Sequence, residues 1–494
     1  MIDGEENQGA VQHSDGLAVN LENFLTAGKM ARDDVQRPRA IELLKEFITQ
    51  VELSGESAGH DPIALIQKRI EELDHTLSLQ INEVLHHPEF QTLEATWRGF
   101  NYLVSKTLTS SRLRIRVLNI SKKDLLKDLE RAPEFDQSTA FKLIYEEEYG
   151  TYGGSPYSCL MGDYEFSNHP KDMELLTKMS QVAAAAHAPF LTAASPKLFN
   201  IDSFSDLGVP RDLSKVFEST EMREWRIFRD SEDSRYVVLT LPHILMRLPY
   251  GPETVRVEGM NFVEYVDGPN NKHFCWGNAA YALAERITNA FALYGWTAAI
   301  RGVEGGGLVE GLPSYNFKTT DGDIALKCPT EVAITDRREK ELSDLGFIGL
   351  CHCKGKDYAA FFGAQTSQKA RAYTSSATSA ASATLSARLP YILAASRFAH
   401  YIKVLMRDKI GTFMTKNEVQ KYLTGWIANY VLLSDEAPQN IKAKYPLREA
   451  RVDVYDIPGQ PGSYRSVVYL RPHFQLEDMN ASLRLVATLP PPMG

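Results

Sequence analysis

Long apolar runs are missing from this 494-residue chain. A membrane-spanning helix needs about 20 consecutive apolar residues, and the best stretches, 182–194 and 237–248, are short or interrupted by His and Pro. No transmembrane segment and no membrane insertion are expected. A basic excess is missing too, since 54 Lys and Arg stand against 63 Asp and Glu, a formal charge of -9. Binding to phosphate backbones needs clustered cations that displace counterions, so nucleic acid is set aside as a partner. Cysteine is scarce: Cys159, Cys275, Cys328, Cys351 and Cys353 form an odd set of five, which suits reduced thiols and not a disulfide framework. The first 20 residues lack the basic and apolar regions of a secretory signal. A cytoplasmic chain is the expectation.

What is present is an ordinary folded composition, 44% hydrophobic and 24% charged, long enough for roughly two to four packing units. Near the start, Leu17, Leu21, Phe24, Leu25 and Met30 fall at helical spacing before a polar break. A helix this short is marginal alone, so it docks either on its own domain or on something else. A helix follows over 39–52, and a Gly and Pro break over 54–62 ends it.

The next helix, 63–85, carries Ile63, Ile66, Ile70, Leu73 and Leu77 at steps of three, four, three and four, the seam of a coiled coil. Such a seam requires a partner surface. Either the following helix supplies it, through Phe90, Leu93, Trp97, Phe100 and Val104, or another chain does.

Beyond residue 110 the pattern becomes mixed α/β. Alternation predicts a strand over 113–120 (LRIRVLNI), and a strand over 330–334 runs into a helix capped by Asp336 and closed by Gly346. A hairpin is expected from 347–353 and 358–362, and a Ser, Ala and Thr rich run over 373–386 reads as a linker or a closely packed segment before a helix at 388–406. Two alternating strands, 450–457 and 463–471, flank a PGQPG turn. The last segment, 482–489, places Leu483, Leu485, Ala487 and Leu489 on one face, and it needs a neighbour strand in its own sheet or in another subunit's.

Short catalytic patterns fail on context. Gly55-Glu56-Ser57-Ala58-Gly59 matches the nucleophile elbow, but that elbow needs a strand before its serine, whereas a helical pattern precedes Ser57. The glycines at 302, 305, 306, 307 and 311 have no following Lys-Ser or Lys-Thr and bring glutamates with them, which suits a backbone turn over a phosphate cradle. Cys351-His352-Cys353 on a strand splits the thiols from the imidazole and has no second Cys pair; these read as core residues. His86 and His87 lie near no ligand-spaced carboxylates, and Glu146, Glu147 and Glu148 read as a solvated face. No catalytic residue, metal site or cofactor is expected.

Longer blocks carry the information. His86–Val104 (HHPEFQTLEATWRGFNYLV), Gly162–Phe166 (GDYEF), Arg247–Gly251 (RLPYG), Trp276–Tyr281 (WGNAAY), Arg301–Pro313 (RGVEGGGLVEGLP), Thr330–Leu342 (TEVAITDRREKEL) and Arg397–Gly411 (RFAHYIKVLMRDKIG) resemble the TssC/VipB family, the large subunits of type VI secretion sheaths. The resemblance implies a contractile tail-sheath-like fold with an N-terminal helical region and a C-terminal extended strand. It also implies a structural protein and no enzyme. The expected partners are a small sheath subunit (TssB/VipA-like), further copies in a helical polymer, an inner-tube protein (Hcp-like), a baseplate, and the AAA+ unfoldase ClpV.

By that resemblance, Ile63, Ile66, Ile70, Leu73 and Leu77 pair with the small subunit, and Leu483, Leu485, Ala487 and Leu489 are donated to a neighbouring protomer. Leu21, Phe24 and Leu25 are offered to the unfoldase. The expected division is 1–85 for the tail and pairing helices, 86–380 for the sheath core and 387–494 for a C-terminal domain. Two alternatives stand beside this reading: a single-component, phage-like sheath and a serine esterase using Ser57.

Overall fold

The computed structural model describes residues 33, 35–53, 62–209, 212–319, 321–371, 377–434, 436–459, 463–473 and 475. The chain divides into two compact units, residues 1–80 with 258–262 and residues 81–257 with 263–494.

The first unit is built on helix α1 (Arg37–Leu53) and most of helix α2 (Pro62–Leu85), as the periodicity predicts. Arg69 links them by donating to the Gln50 side-chain carbonyl at 2.7 Å. The Asp74 carboxylate accepts the Asn261 N–H at 3.0 Å.

The second unit holds a six-stranded sheet. Strands β1 (Leu160–Phe166), β2 (Phe190–Ala194), β3 (Val237–Leu241) and β9 (Phe347–His352) run parallel. β10 (Ala359–Phe361) turns back antiparallel on β9, and β6 (Leu308–Val309) closes that edge. The hairpin predicted over 347–362 is therefore the sheet's antiparallel end. β2 and β3 are buried along their whole length, the pattern of strands covered on both faces.

Period-2 geometry divides the sheet residues between two cores. Phe190, Val237, Leu239 and Phe347 enter one cluster, with Leu125, Leu129, Leu176 and Trp225. There the Trp225 ring stacks on Phe347 at 5.1 Å between centroids. Leu191, Val238, Ile348 and Leu350 enter the other, with Leu103, Leu283 and Ile287.

Helix α3 (Pro88–Lys106) lies against helix α4 (Ala280–Tyr294) at a glycine. A Cβ on Gly99 would sit 2.4 Å from the Tyr281 ring, so hydrogen is the side chain that fits. A buried ion network ties α3 to the RLPYG block. The Arg247 guanidinium donates to Glu94 (Nε, 2.6 Å) and to both oxygens of Glu264 (2.5 and 2.9 Å). Glu264 also accepts the Tyr250 N–H at 2.9 Å, and Arg98 reaches Glu94 at 2.7 Å and the Tyr250 hydroxyl at 2.8 Å.

The C-terminal part packs helix α5 (Leu389–Asp408) and helix α6 (Lys416–Ala428) with an antiparallel hairpin of β11 (Leu447–Asp456) and β12 (Tyr464–Pro472). Trp296, Phe398, Leu423, Ile427, Val452 and Val454 form its core. Thr415 and Glu418 make a reciprocal capping box at the start of α6, which satisfies two otherwise unpaired helix N–H groups.

Three local expectations are corrected. Residues 113–120 form no strand: Leu113 and Ile115 are half buried, but the alternation fails at Val117 and Leu118, which are exposed, and Arg116 is held by Glu148 and Tyr157. Residues 330–334 contribute an isolated bridge between Thr330 and Ile244, not a strand: the Glu331 carbonyl accepts from the Asn271 side chain and the Val332 carbonyl from the Thr330 hydroxyl, in place of a neighbouring strand. The helix after it, Asp336–Asp344, is capped by Thr335, whose hydroxyl accepts from Arg338 N–H, and not by Asp336. Gly346 does close that segment, at φ +89°. In the Ser, Ala and Thr rich run, Ala377–Ser386 is a helix.

Candidate assembly interface

Helix α2 is inverted relative to an ordinary surface helix. Its buried side is polar: Asp74, Ser78 and Asn82, each four residues from the last, are all buried. Its apolar stripe is exposed, beside exposed charged residues such as Lys68, Glu71 and Glu72. Ile66, Ile70, Leu73 and Leu77 keep 42%, 47%, 51% and 45% of their surface in solvent, and Leu79 and Val84 are exposed as well. Ile63 belongs to the first turn of the same helix.

The polar side is used. Asn82, in the second unit, donates its side-chain N–H to the Val263 carbonyl at 3.0 Å and accepts the Tyr265 N–H at 2.9 Å. These bonds tie the buried Asn82 side chain to the main chain of the 263–265 segment. The face that would normally enter a core thus makes hydrogen bonds, and the apolar face is left outward.

The stripe on α3 is divided. Phe100 packs against the second core cluster, while Leu93 and Val104 are exposed and Trp97 is 64% exposed. The residues of α3 that are buried are Ala95, Gly99 and Leu103, on its other side. Burying the remaining exposed surface of the four α2 residues would contribute roughly 3 to 5 kcal/mol at ordinary transfer values. That is before association costs.

The glycine turn at 302–307 is packed backbone: Gly306 sits at φ +93°, and a Cβ there would lie 2.3 Å from the Ala299 carbonyl. His86 stacks on His273 at 4.2 Å. Glu148 accepts from Ser155 N–H at 2.8 Å in addition to Arg116. Cys351 is buried as expected, but Cys353 is exposed and is not a core residue. Among the described residues no group of three or more His, Cys, Asp and Glu could hold a metal ion, and no helix is long and apolar enough to cross a membrane. Ser57, Leu21, Phe24, Leu25, Leu483, Leu485, Ala487 and Leu489 lie outside the described residues.

A second feature that sequence patterning missed is a charged clamp at His243. Its Nδ1 lies 2.5 Å from Glu331 and its Nε2 lies 2.8 Å from Glu165. Burial alone would lower the imidazole, but the two carboxylates outweigh it and raise it to about 10. Burial would likewise raise Glu331, and His243 with Ser203 and the Phe204 N–H brings it below its ordinary value. No motif spacing exposes this clamp, since its members are 78 and 88 residues from the histidine.

Comparison with known proteins gives the class first. The EvpB/VC_A0108 tail sheath N-terminal domain matches residues 67–368, and the EvpB/VC_A0108 tail sheath gpW/gp25-like domain matches residues 378–489. The molecule is a mixed α/β tail sheath protein. A curated relative, the type VI secretion system sheath protein TssC1 of Pseudomonas aeruginosa PAO1, is 48% identical over 486 residues, 97% of this chain and 96% of the relative. The chain belongs to the TssC/VipB family of type VI secretion sheath proteins.

Two solved structures are more distant. One is the anti-feeding prophage baseplate, at 11% identity and TM-score 0.35, covering 64% of this chain and 66% of that one. The other is the anti-feeding prophage helical sheath in its contracted state, at 12% identity and TM-score 0.28, covering 76% and 99%. The family rests on the sequence matches alone.

Proposed function

We propose that the outward face of α2 receives the small sheath subunit (TssB/VipA-like), and that the resulting pair polymerises into a helical tube around an Hcp-like inner tube on a baseplate. Contraction of that tube drives the inner tube and its effectors out of the cell. The observation that carries the reading is the inverted helix, which spends its polar side on its own chain and leaves Ile66, Ile70, Leu73 and Leu77 outward. The work is structural and cytoplasmic, with no enzymatic step, no cofactor and no metal.

The test is co-expression with the small subunit, followed by ultracentrifugal pelleting and negative-stain microscopy. Hollow tubes are expected from the pair and not from either chain alone. Tubes from this chain alone would favour a single-component sheath. The double variant Ile70→Asp with Leu73→Asp is expected to remove the pair while leaving the fold in place, since both side chains are exposed.

Two finer roles belong to the same reading. Leu483, Leu485, Ala487 and Leu489 add a strand to a neighbouring protomer. The β11 and β12 hairpin supports this, as a two-stranded sheet with open edges among the described residues. Truncation after Asn480 is expected to abolish tubes without abolishing the pair. Leu21, Phe24 and Leu25 are offered to ClpV, and a peptide spanning 17–28 is expected to bind it. The division 1–85, 86–380 and 387–494 follows these three jobs. Hydrolysis of an activated ester, lost in Ser57→Ala, would instead favour the esterase.

A further inference from the structure

Helix α5 carries a basic stripe that is turned inward. Its Leu389 and Leu393 enter the second core cluster and its Phe398 enters the C-terminal core, so the helix joins the two. Arg397, His400, Lys403 and Arg407 follow one another at steps of three, three and four, which sets them along one side of the helix. His400 is 2% exposed and the other three are half-buried.

The stripe meets main-chain carbonyls and aromatic rings. Arg407 donates to the Tyr149 and Thr151 carbonyls at 2.9 and 2.8 Å, where the π-helix Lys142–Gly150 ends. The Lys403 ammonium stands 3.5 Å from the centre of the Tyr149 ring and 5.0 Å from that of Tyr145. Arg397 donates to the Pro156 carbonyl at 3.4 Å. Carbonyls at a helix C-terminus carry partial negative charge and suit such cations.

His400 is held at both ring nitrogens. Its Nε2 is 2.8 Å from the carbonyl of Ala186, the last residue of the helix Pro170–Ala186. A carbonyl oxygen only accepts, so Nε2 carries the hydrogen. Nδ1 is 3.5 Å from the Arg397 guanidinium, which only donates, so Nδ1 keeps its lone pair. The neutral ring satisfies both neighbours. A proton on Nδ1 would set one donor against another and place a second positive charge beside the guanidinium.

The surroundings offer that charge no partner. From its own helix His400 faces Arg397 and Lys403. From the π-helix it meets Tyr149, edge-on at 5.1 Å between centroids, and after Ala186 it meets His187 at 6.2 Å. None of these is a carboxylate. Tyr236 stands behind His187, its hydroxyl 3.2 Å from Nδ1 of that ring, and Asp233 acts on Tyr236. Glu148 of the π-helix is engaged by Arg116 and the Ser155 N–H. Burial, with Arg397, His187 and Lys403, accordingly holds the His400 imidazole down at about 4 against the pull of the Ala186 bond.

We propose that His400 makes the docking of α5 on the π-helix and on the end of the helix Pro170–Ala186 an acid-sensitive joint, closed by the neutral ring and opened by a proton on Nδ1. The joint lies apart from the seam on α2 and does not rest on pairing. Its sign follows from linkage. An imidazole released from the joint returns to its ordinary value near 6.5, so the open form binds the proton that the closed form refuses. Between about pH 7.5 and about pH 5.5 the open fraction is expected to rise about tenfold.

Hydrogen exchange of the full-length chain, followed by mass spectrometry, reads this directly. Rates at the two pH values are divided by those of unstructured peptides of the same sequence, which leaves the opening equilibrium. Protection in peptides covering 145–151 and 397–407 is expected to fall about tenfold on acidification, while strand β3 at 237–241 keeps its own. The amide of His400→Gln can make the same two bonds without taking a proton, so this variant is expected to match the native chain at the higher pH and to lose most of the fall. Arg397→Met, which removes the cation facing Nδ1, is expected to shrink the fall as well.

Loss of protection at 237–241 would show that a variant has unfolded, and the native chain then still decides. Constant protection of 145–151 and 397–407 in the native chain, a parallel fall at 237–241, or an undiminished fall in folded His400→Gln would overturn the proposal.

Discussion

The Arg247 network shows why single side chains hold this protein together. Glu264 is fully buried and pairs with Arg247 through both oxygens, so its removal strands a buried guanidinium beside Glu94. Glu264→Ala is expected to cost about 3 to 5 kcal/mol, the usual penalty for breaking a buried pair from one side, read as a lower urea midpoint. The Glu94 carboxylate, which burial would raise, is held below its ordinary value by Arg247 and Arg98.

The His243 clamp has the opposite pH signature to a carboxylate. Its folded value of about 10 lies above the unfolded one, so its contribution is complete below about pH 6.5 and is lost as pH rises through 10. Glu331, held low, adds stability that is lost as pH falls through its folded value. The clamp is therefore strongest between the unfolded values of carboxylate and imidazole. Unfolding midpoints compared on either side of that window should decline on the alkaline side, and His243→Gln should flatten that limb.

Among the elements, α2 was legible as a helix and as a seam, because Ile66, Ile70, Leu73 and Leu77 repeat with its period. Its inversion was not legible. Periodicity identifies an apolar face, but whether that face or a polar row beside it is buried depends on contacts such as Asn82 meeting main chain 181 and 183 residues further on. Asn82→Leu is expected to remove both bonds, at about 0.5 to 1.5 kcal/mol for each, measured by chemical unfolding.

The residues at 113–120 show the converse. Their alternation was visible, but a strand also needs a neighbour, and local pattern does not supply one. The cap at Thr335 was displaced by one position because Thr and Asp are both good caps and stand side by side at 335 and 336.

On the scale of the whole molecule, the net charge of -9 and the apolar seam make different predictions for assembly. If pairing rests on Ile66, Ile70, Leu73 and Leu77, strong salt should leave the pair intact, because screening within about 3 Å at 1 M removes charge attraction but not apolar burial. Sedimentation of the co-expressed pair in low and high salt checks this. Dissociation in high salt would assign the contact to ion pairs.

The polar anchor of α2 also sets a schedule. Asn82 is synthesised 181 residues before Val263, and at about 5 to 20 residues per second a ribosome needs roughly 10 to 40 s to make the difference. For that interval the helix has neither its own chain to hold its polar side nor a complete protein behind its apolar one. On the proposed pairing, a small subunit already present in the cell would meet it during translation, and the order and ratio in which the two chains are made would become part of how the sheath is built.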